Sequence, residues 1–287
     1  MERGQHEHEE LKINQGRILA ELHRQKRSTN LQDYEFKIFS QWGEDGIIQK
    51  IVDSVEIKNK TFIEFGIQDF SESNCRFLMM KDNWSGFVMD GGNENIARLK
   101  NAPYYWQYEL NAVEAFITKE NINALLLTSG FDKDLGILSI DLDGNDYWIL
   151  NEIKNFTPRI LILEYNAVFG PAKKISVPYE PDFQRTRKHH SNLYWGASLA
   201  ALASKAFEKG YALVGTNSAG CNAFFVRNDL MNEKLTGLSA AEAFTASKYR
   251  ESRLADGTLS YASGTDRLKL ISGMPVVDIE SGKMAVL

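Results

Sequence analysis

The sequence predicts an α/β protein built on a doubly wound, mostly parallel sheet. Three observations predict it: five short apolar runs alternate with helical patterns, acids and glycines gather at the ends of those runs, and two final apolar runs are joined by a short polar turn. Strands alternating with helices imply a parallel sheet covered on both faces. The last two runs read as a hairpin, so the sheet should close with an antiparallel strand.

Residues from Glu7 to Arg27 contain no proline, carry many charges and place Leu11, Gln15, Ile18 and Leu22 along one helical stripe. They predict an amphipathic helix within residues 1–30, either packed on its own domain or serving as a dimerisation or lid element. His6, His8 and His23 fall in this region, where mixed His and Glu near a chain end read as solvated rather than metal-bound. After a break at Ser28-Thr29-Asn30, the run F-S-Q-W-G-E-D-G-I-I from Phe39 to Ile48 leads into a helix through Ile51.

Strands are expected at Thr61 to Phe65, Gly86 to Met89, within Tyr108 to Thr118, at Gly136 to Ile140 and at Arg159 to Leu163. Leu199, Leu202, Ala203, Ala206 and Phe207 then share one face of a helix over Ala197 to Lys209, which stops at Gly210. Tyr211 to Gly215 and Ala223 to Arg227 form the closing hairpin around T-N-S-A-G-C-N. Beyond Leu230 the chain is more polar and rich in turn signals. Residues 31–235 are therefore read as the domain, and 236–287 as a C-terminal extension.

A chain of 287 residues, 43% hydrophobic and 25% charged, suffices for one large domain with appendages. A net charge of −5 gives no general attraction to nucleic acid or to an anionic membrane. No apolar run approaches the roughly 20 residues that cross a bilayer. Cys75 and Cys221 are too few for a disulfide framework and lack metal-ligand spacing. With no signal-peptide core in the polar N-terminus, the cytoplasm is the expected location.

Ligands of open α/β sheets bind outside the carboxyl ends of the strands, so the residues following each apolar run matter most. The first run gives F-I-E-F-G-I-Q-D-F-S-E-S-N, from Phe62 to Asn74, in which Gly66 permits a tight turn. A dinucleotide fingerprint would need glycines at Gln68 and Ser71, and the carboxylates of Glu64 and Asp69 would repel phosphate. An amino group or hydroxyls suit them better, as in S-adenosylmethionine; an ordinary strand-to-helix turn is the alternative. The second run ends in Asp90, 26 residues after Glu64, near the spacing of an acid that accepts from ribose hydroxyls, although a helix N-terminal role also fits.

The fourth run ends in S-I-D-L-D-G-N-D-Y-W, crowding Asp141, Asp143 and Asp146 into six residues without the rest of a calcium loop. Glu164, ending the fifth run, would stand beside Asp141, and two adjacent carboxylates share a proton or a metal. A divalent metal is possible here but not expected. The long stretch after Gly170-Pro171 carries Arg185, Arg187, Lys188, His189 and His190. It reads as a substrate lid able to bind an anionic acceptor, or as a solvated basic loop.

Over roughly Gln41 to Arg227 the chain resembles class I S-adenosylmethionine-dependent methyltransferases, and more narrowly the FkbM-type enzymes of bacterial surface-polysaccharide and natural-product clusters. The resemblance is carried by Q-W-G-E-D-G, F-I-E-F-G, S-I-D-L-D-G-N-D-Y-W, L-E-Y-N-A-V-F-G-P and N-A-F-F-V-R. It implies a Rossmann-like, seven-stranded sheet whose last strand is antiparallel, with S-adenosyl-L-methionine as cofactor and S-adenosyl-L-homocysteine as product. Cofactor contacts are implied for Glu64, Gly66, Gln68, Asp69 and Asn74 at the methionine end. Asp90 and Gly91 would serve the ribose, Ile117 within Phe116 to Thr118 the adenine, and Asp141 the transfer centre. Asp141 is expected to orient the acceptor, with His190, His189 or Glu164 as base. The expected acceptor is a small, polar, anionic molecule such as a sugar nucleotide or a phosphoramidate-type intermediate. A homodimer is possible, and a catalytically inactive scaffold of the same fold is the competing reading.

Overall fold

The computed structural model describes residues 2–287, with side chains from residue 8 onward, so the side chain of His6 lies outside it. The chain runs α1 (Glu2–Arg24), α2 (Glu44–Val52), β1 (Thr61–Phe65), α3 (Arg76–Asp82), β2 (Ser85–Asp90), α4 (Asn93–Lys100), β3 (Leu110–Glu114), α5 (Ile122–Thr128), β4 (Ile137–Ile140), α6 (Asp146–Glu152) and β5 (Ile160–Glu164). It continues through β6 (Ile175–Ser176), α7 (Arg185–Lys188), α8 (Leu199–Glu208), β7 (Tyr211–Thr216), β8 (Asn222–Arg227), α9 (Ala240–Ala243), α10 (Thr265–Leu270), β9 (Pro275–Asp278) and β10 (Met284–Val286).

Seven strands form one sheet in the order β3-β2-β1-β4-β5-β8-β7. Strands β1 to β5 pair in parallel with their neighbours, whereas β8 runs antiparallel to both β5 and β7. This is the doubly wound, Rossmann-like sheet with a reversed last strand that the sequence predicts. The strands read as near-continuous apolar runs because both faces are covered. Along β1, Phe62 enters the core shared with α1 to α4, while Ile63 and Phe65 enter the core beneath α5, α6 and α8.

Two expectations need adjusting. The stripe Leu11, Ile18 and Leu22 of α1 faces solvent, at 61%, 61% and 56% exposure. The helix instead docks through Ile13, Gly16 and Ala20, and a Cβ at Gly16 would lie 2.4 Å from the Phe77 ring. Close helix approach selected the smaller residues for the core side. The C-terminal residues are interwoven with the sheet rather than appended to it. Leu238 N–H donates to Leu213 O across from β7, and β9 pairs with β6 in a three-stranded sheet β10-β9-β6. Among the described residues no helix is long and apolar enough to cross a membrane.

Q-W-G-E-D-G owes its spacing to the fold. Asp45 Oδ2 accepts from the N–H groups of Ile38, Phe39 and Ser40 and from Ser40 Oγ, at 2.7–2.8 Å. Glu44 Oε2 accepts from Trp42 N and Gly43 N, and its Oε1 accepts from Asn217 Nδ2 and Asn222 Nδ2 in the β7–β8 hairpin. At Gly46 a Cβ would fall 1.9 Å from Tyr34 O. These contacts fasten the segment so that Gln41 and Trp42 project over the carboxyl edge of the sheet.

Candidate functional site

A cavity of about 820 Å³ opens at that edge, walled by the ends of β1, β2, β4 and β5, the segment beginning α7, and residues 249–251. Gly66 has φ +67° and sits so close to β4 that a Cβ would lie 1.8 Å from Asp141 O. The glycine is therefore required first by strand packing. Gly66, Gln68, Asp90, Gly91, Ile117 and Asp141 all reach the cavity wall. A smaller recess of about 80 Å³ lies alongside, bounded by Gln41, Glu64, Gln68, Asn74 and Asp141.

Glu64 and Asp90 shape this half of the site. Glu64 is buried, and its carboxylate accepts from Ser73 Oγ (2.7 Å), Asn74 N (2.8 Å) and Cys75 N (3.2 Å), which folds the turn after β1. Asn74 in turn donates to Ser139 Oγ at 3.1 Å. Asp90 accepts from Gln68 N, Gly92 N and Asn95 Nδ2. Those three bonds leave about one of its four acceptor positions for a ligand hydroxyl. Asp69 is turned away from the cavity: its carboxylate caps Ser71 and faces Arg98.

The other half is acidic and aromatic. Carboxylate oxygens of Asp141, Asp143 and Glu164 approach within 4.8 Å of one another, a spacing that a divalent cation could also bridge. Burial, followed by neighbouring negative charge, pushes Asp141 and Glu164 well above the usual carboxylate range. Glu164 Oε2 is buried without a hydrogen-bond partner. The pair thus favours one shared proton, and as a monoanion it can accept one more. Asp146, expected in the same cluster, instead accepts from Leu142 N and Gly144 N at the start of α6, and burial pushes it up to about 7.

Arg185 ties three segments around this wall. Its guanidinium donates to Asp143 (3.1 Å), to Glu251 and to Asn192 O (2.8 Å), and lies 4.6 Å from the centre of the Trp195 ring. Lys188 pairs with Glu180. His189 engages Ser191 and packs on His190 at 4.3 Å, and neither histidine lines the cavity. The lid's positive charge is thus largely spent on the protein's own carboxylates and not held out over the pocket.

Trp42, Tyr249, Arg250 and Glu251 were missed as site residues. Trp42 and Tyr249 stack with ring centres 5.5 Å apart and planes 18° from parallel, joining the two ends of the chain above the cavity. Trp42 stood inside a motif already singled out. S-K-Y-R-E-S had no signal, since a strap held by tertiary contacts carries no period.

No family model matches this chain, and no curated protein does. Solved structures with a similar backbone include an O-methyltransferase from Bacillus cereus in complex with SAH, at 10% identity over 75% of this chain and 88% of that one, with a TM-score of 0.42. An S-adenosylmethionine-dependent methyltransferase from Clostridium acetobutylicum is similar at 10% identity over 64% and 90%, TM-score 0.42. The N-terminal domain of EvdMO1 with SAH bound is similar at 10% identity over 66% and 82%, TM-score 0.41. Likeness at this level transfers neither residues nor substrate. The Rossmann-like class rests on the strand order of this chain itself.

Proposed function

We propose that the protein is an S-adenosylmethionine-dependent methyltransferase acting on an oxygen or nitrogen of a small polar acceptor. The observation that carries this reading is the meeting of Asp90 from β2 and Asp141 from β4 in one cavity at the carboxyl edge of a sheet closed by a reversed strand. The donor set fits the cofactor. The recess beside Glu64, Asn74 and Asp141 suits an amino-acid end, the free acceptor position of Asp90 a ribose hydroxyl, and the apolar wall at Ile117 and Phe116 an adenine. When bound, S-adenosylmethionine would supply an electrophilic methyl group.

The chain's own residues would then align the acceptor and take its proton. Asp141 and Glu164 occupy the wall where the acceptor would lie, and their shared monoanion is the base within reach of it. Trp42 and Tyr249 would cover part of the cavity from above. The resemblance to FkbM-type enzymes supports an intermediate of bacterial surface-polysaccharide synthesis, such as a sugar nucleotide, as the acceptor class. Its anionic end would face Arg250 at the rim and its reacting hydroxyl or amine the acidic wall.

Calorimetric titration of the dialysed protein with S-adenosylmethionine and S-adenosylhomocysteine tests the reading. Micromolar binding is expected for wild type, weakened at least about tenfold in Asp90→Ala. Absence of binding by ligand-free wild type would overturn the cofactor assignment and leave the scaffold reading.

A further inference from the structure

A second cavity, of about 480 Å³, lies at the C-terminal end of α1 and shares no wall residue with the first. Arg24, Lys26, Arg27, Lys50 and Lys234 line it, with His23 and a single carboxylate, Asp53. Asp53 is committed: it pairs with Arg24 at 3.0 Å and accepts from Gln49 Nε2 at 2.9 Å. Lys26, Arg27, Lys50 and Lys234 form no ion pair with any described residue. Lys26 donates to Asp33 O and approaches His23 Nε2 at 2.8 Å, and Lys50 lies 4.8 Å from the centre of the Tyr34 ring.

So many uncompensated cations in one concavity run against the charge of a chain whose net value is −5. Like charges crowded together destabilise the empty fold unless something compensates them, and concave walls focus the field on whatever enters. His23 shows the same pressure. Burial first, and then the Lys26 ammonium, hold its imidazole below the ordinary value, and its Nδ1 is buried without a hydrogen-bond partner. Arginine and lysine together favour phosphoryl oxygens, the one by its fork and the other as a point charge. The volume falls within the usual small-molecule range of about 300–1,000 Å³.

We propose that this cavity binds a phosphate-bearing anion with two or more phosphoryl charges, at a site separate from the one assigned to methyl transfer. The phosphates would meet Lys26, Arg27 and Lys234 at the exposed rim and the half-buried Lys50 further in. Such a ligand could be a free metabolite or a phosphorylated lipid headgroup.

The test titrates the full chain with inorganic pyrophosphate and does not depend on methyltransferase activity. Arg27 and Lys234 are exposed and make no contact that the fold needs, so Arg27→Ala/Lys234→Ala is expected to melt no lower than wild type, and higher where their repulsion is relieved. Saturable one-to-one binding is expected for wild type and for the control Lys58→Ala/Lys133→Ala, and at least tenfold weaker binding for Arg27→Ala/Lys234→Ala. Absence of saturable binding, or equal weakening in the control pair, would overturn the site. A second arm sediments the protein with phosphatidylcholine vesicles with and without a phosphoinositide. Pelleting that needs the phosphoinositide, is displaced by pyrophosphate and is lost in Arg27→Ala/Lys234→Ala assigns the headgroup as source. Pyrophosphate binding without pelleting assigns a free phosphate.

Discussion

Glu44, Asp45 and Glu64 on one side of the sheet edge, and Asp141 and Glu164 on the other, are acids withdrawn from bulk water for opposite ends. Each of the first three accepts from several backbone and side-chain donors, even though Asp45 leaves its Oδ1 unpartnered, so its position is held by geometry. The second two have only each other, Asp143 and Arg185 for company, and Glu164 leaves an oxygen unpartnered. A buried acid surrounded by N–H groups defines where the chain goes; one left among other acids keeps a proton equilibrium available for chemistry.

The largest expected effect breaks the second set. Glu164→Gln should lower kcat by about 10²- to 10⁴-fold, the range of a lost general base, while the S-adenosylmethionine Kd stays within about threefold. The stability of this variant should carry the opposite sign. The folded-state values of Asp141 and Glu164 lie above those of the unfolded chain. Their contribution is thus fully present below the ordinary carboxylate range and is lost as pH rises through the raised values. Removing one charge spares the fold that loss. The thermal midpoint of Glu164→Gln should therefore gain on wild type as pH rises above the ordinary carboxylate range, from about pH 4 upward. An offset that is constant across those pH values would show that the two carboxyls do not repel each other.

Breaking the first set should cost the fold instead. Asp45→Ala strips the partner from three backbone N–H groups and a hydroxyl, and with about 1–3 kcal/mol for each stranded donor the loss should reach about 3 kcal/mol or more in denaturant unfolding. Asp45→Asn sharpens the point. All four bonds end on Oδ2 and Oδ1 has no partner, so one amide oxygen can serve the same donors and less than half of that loss is expected. A larger loss for asparagine than for alanine would mean that the charge, not the geometry, holds the segment.

The same contrast explains what the sequence made legible. All seven strands of the main sheet were readable because double-sided burial writes a run of apolar residues, as in I-L-I-L-E, and a hairpin writes its turn. Asp90, Asp141 and Glu164 were readable because a strand end fixes where a side chain lands. Glu64 and Gly66 were placed at the right edge, but their partners, the Asn74 and Cys75 N–H groups and Asp141 O, are set by turn geometry and strand packing that no spacing encodes. Asp69, by contrast, lies in the turn after β1, whose geometry turns its carboxylate toward Ser71 and Arg98. The exposed stripe of α1 was misleading in a similar way, since periodicity marks an apolar face without saying which face the smaller residues allow to dock. Tyr249 and Glu251, more than 80 residues from the strand ends they cover, depend wholly on tertiary contacts to Trp42 and Arg185.

The histidines supply the smallest effect and the sharpest discrimination between the lid and the carboxylate wall. A base must lie within hydrogen-bond reach of the proton it takes, directly or through one water. His189 is turned toward Ser191, with the His190 ring packed against it at a tilt, outside the cavity wall that Asp141 and Glu164 share. Burial and the adjacent ring also hold His189 below its ordinary value, a shift that favours a neutral, locally bonded imidazole. His189→Ala and His190→Ala should therefore each change kcat by less than about threefold, well short of the loss a general base would show. If either variant instead matched Glu164→Gln, the lid would have to swing that imidazole across the cavity on binding the acceptor. The carboxylate pair would then be left to orient the acceptor while the histidine took the proton.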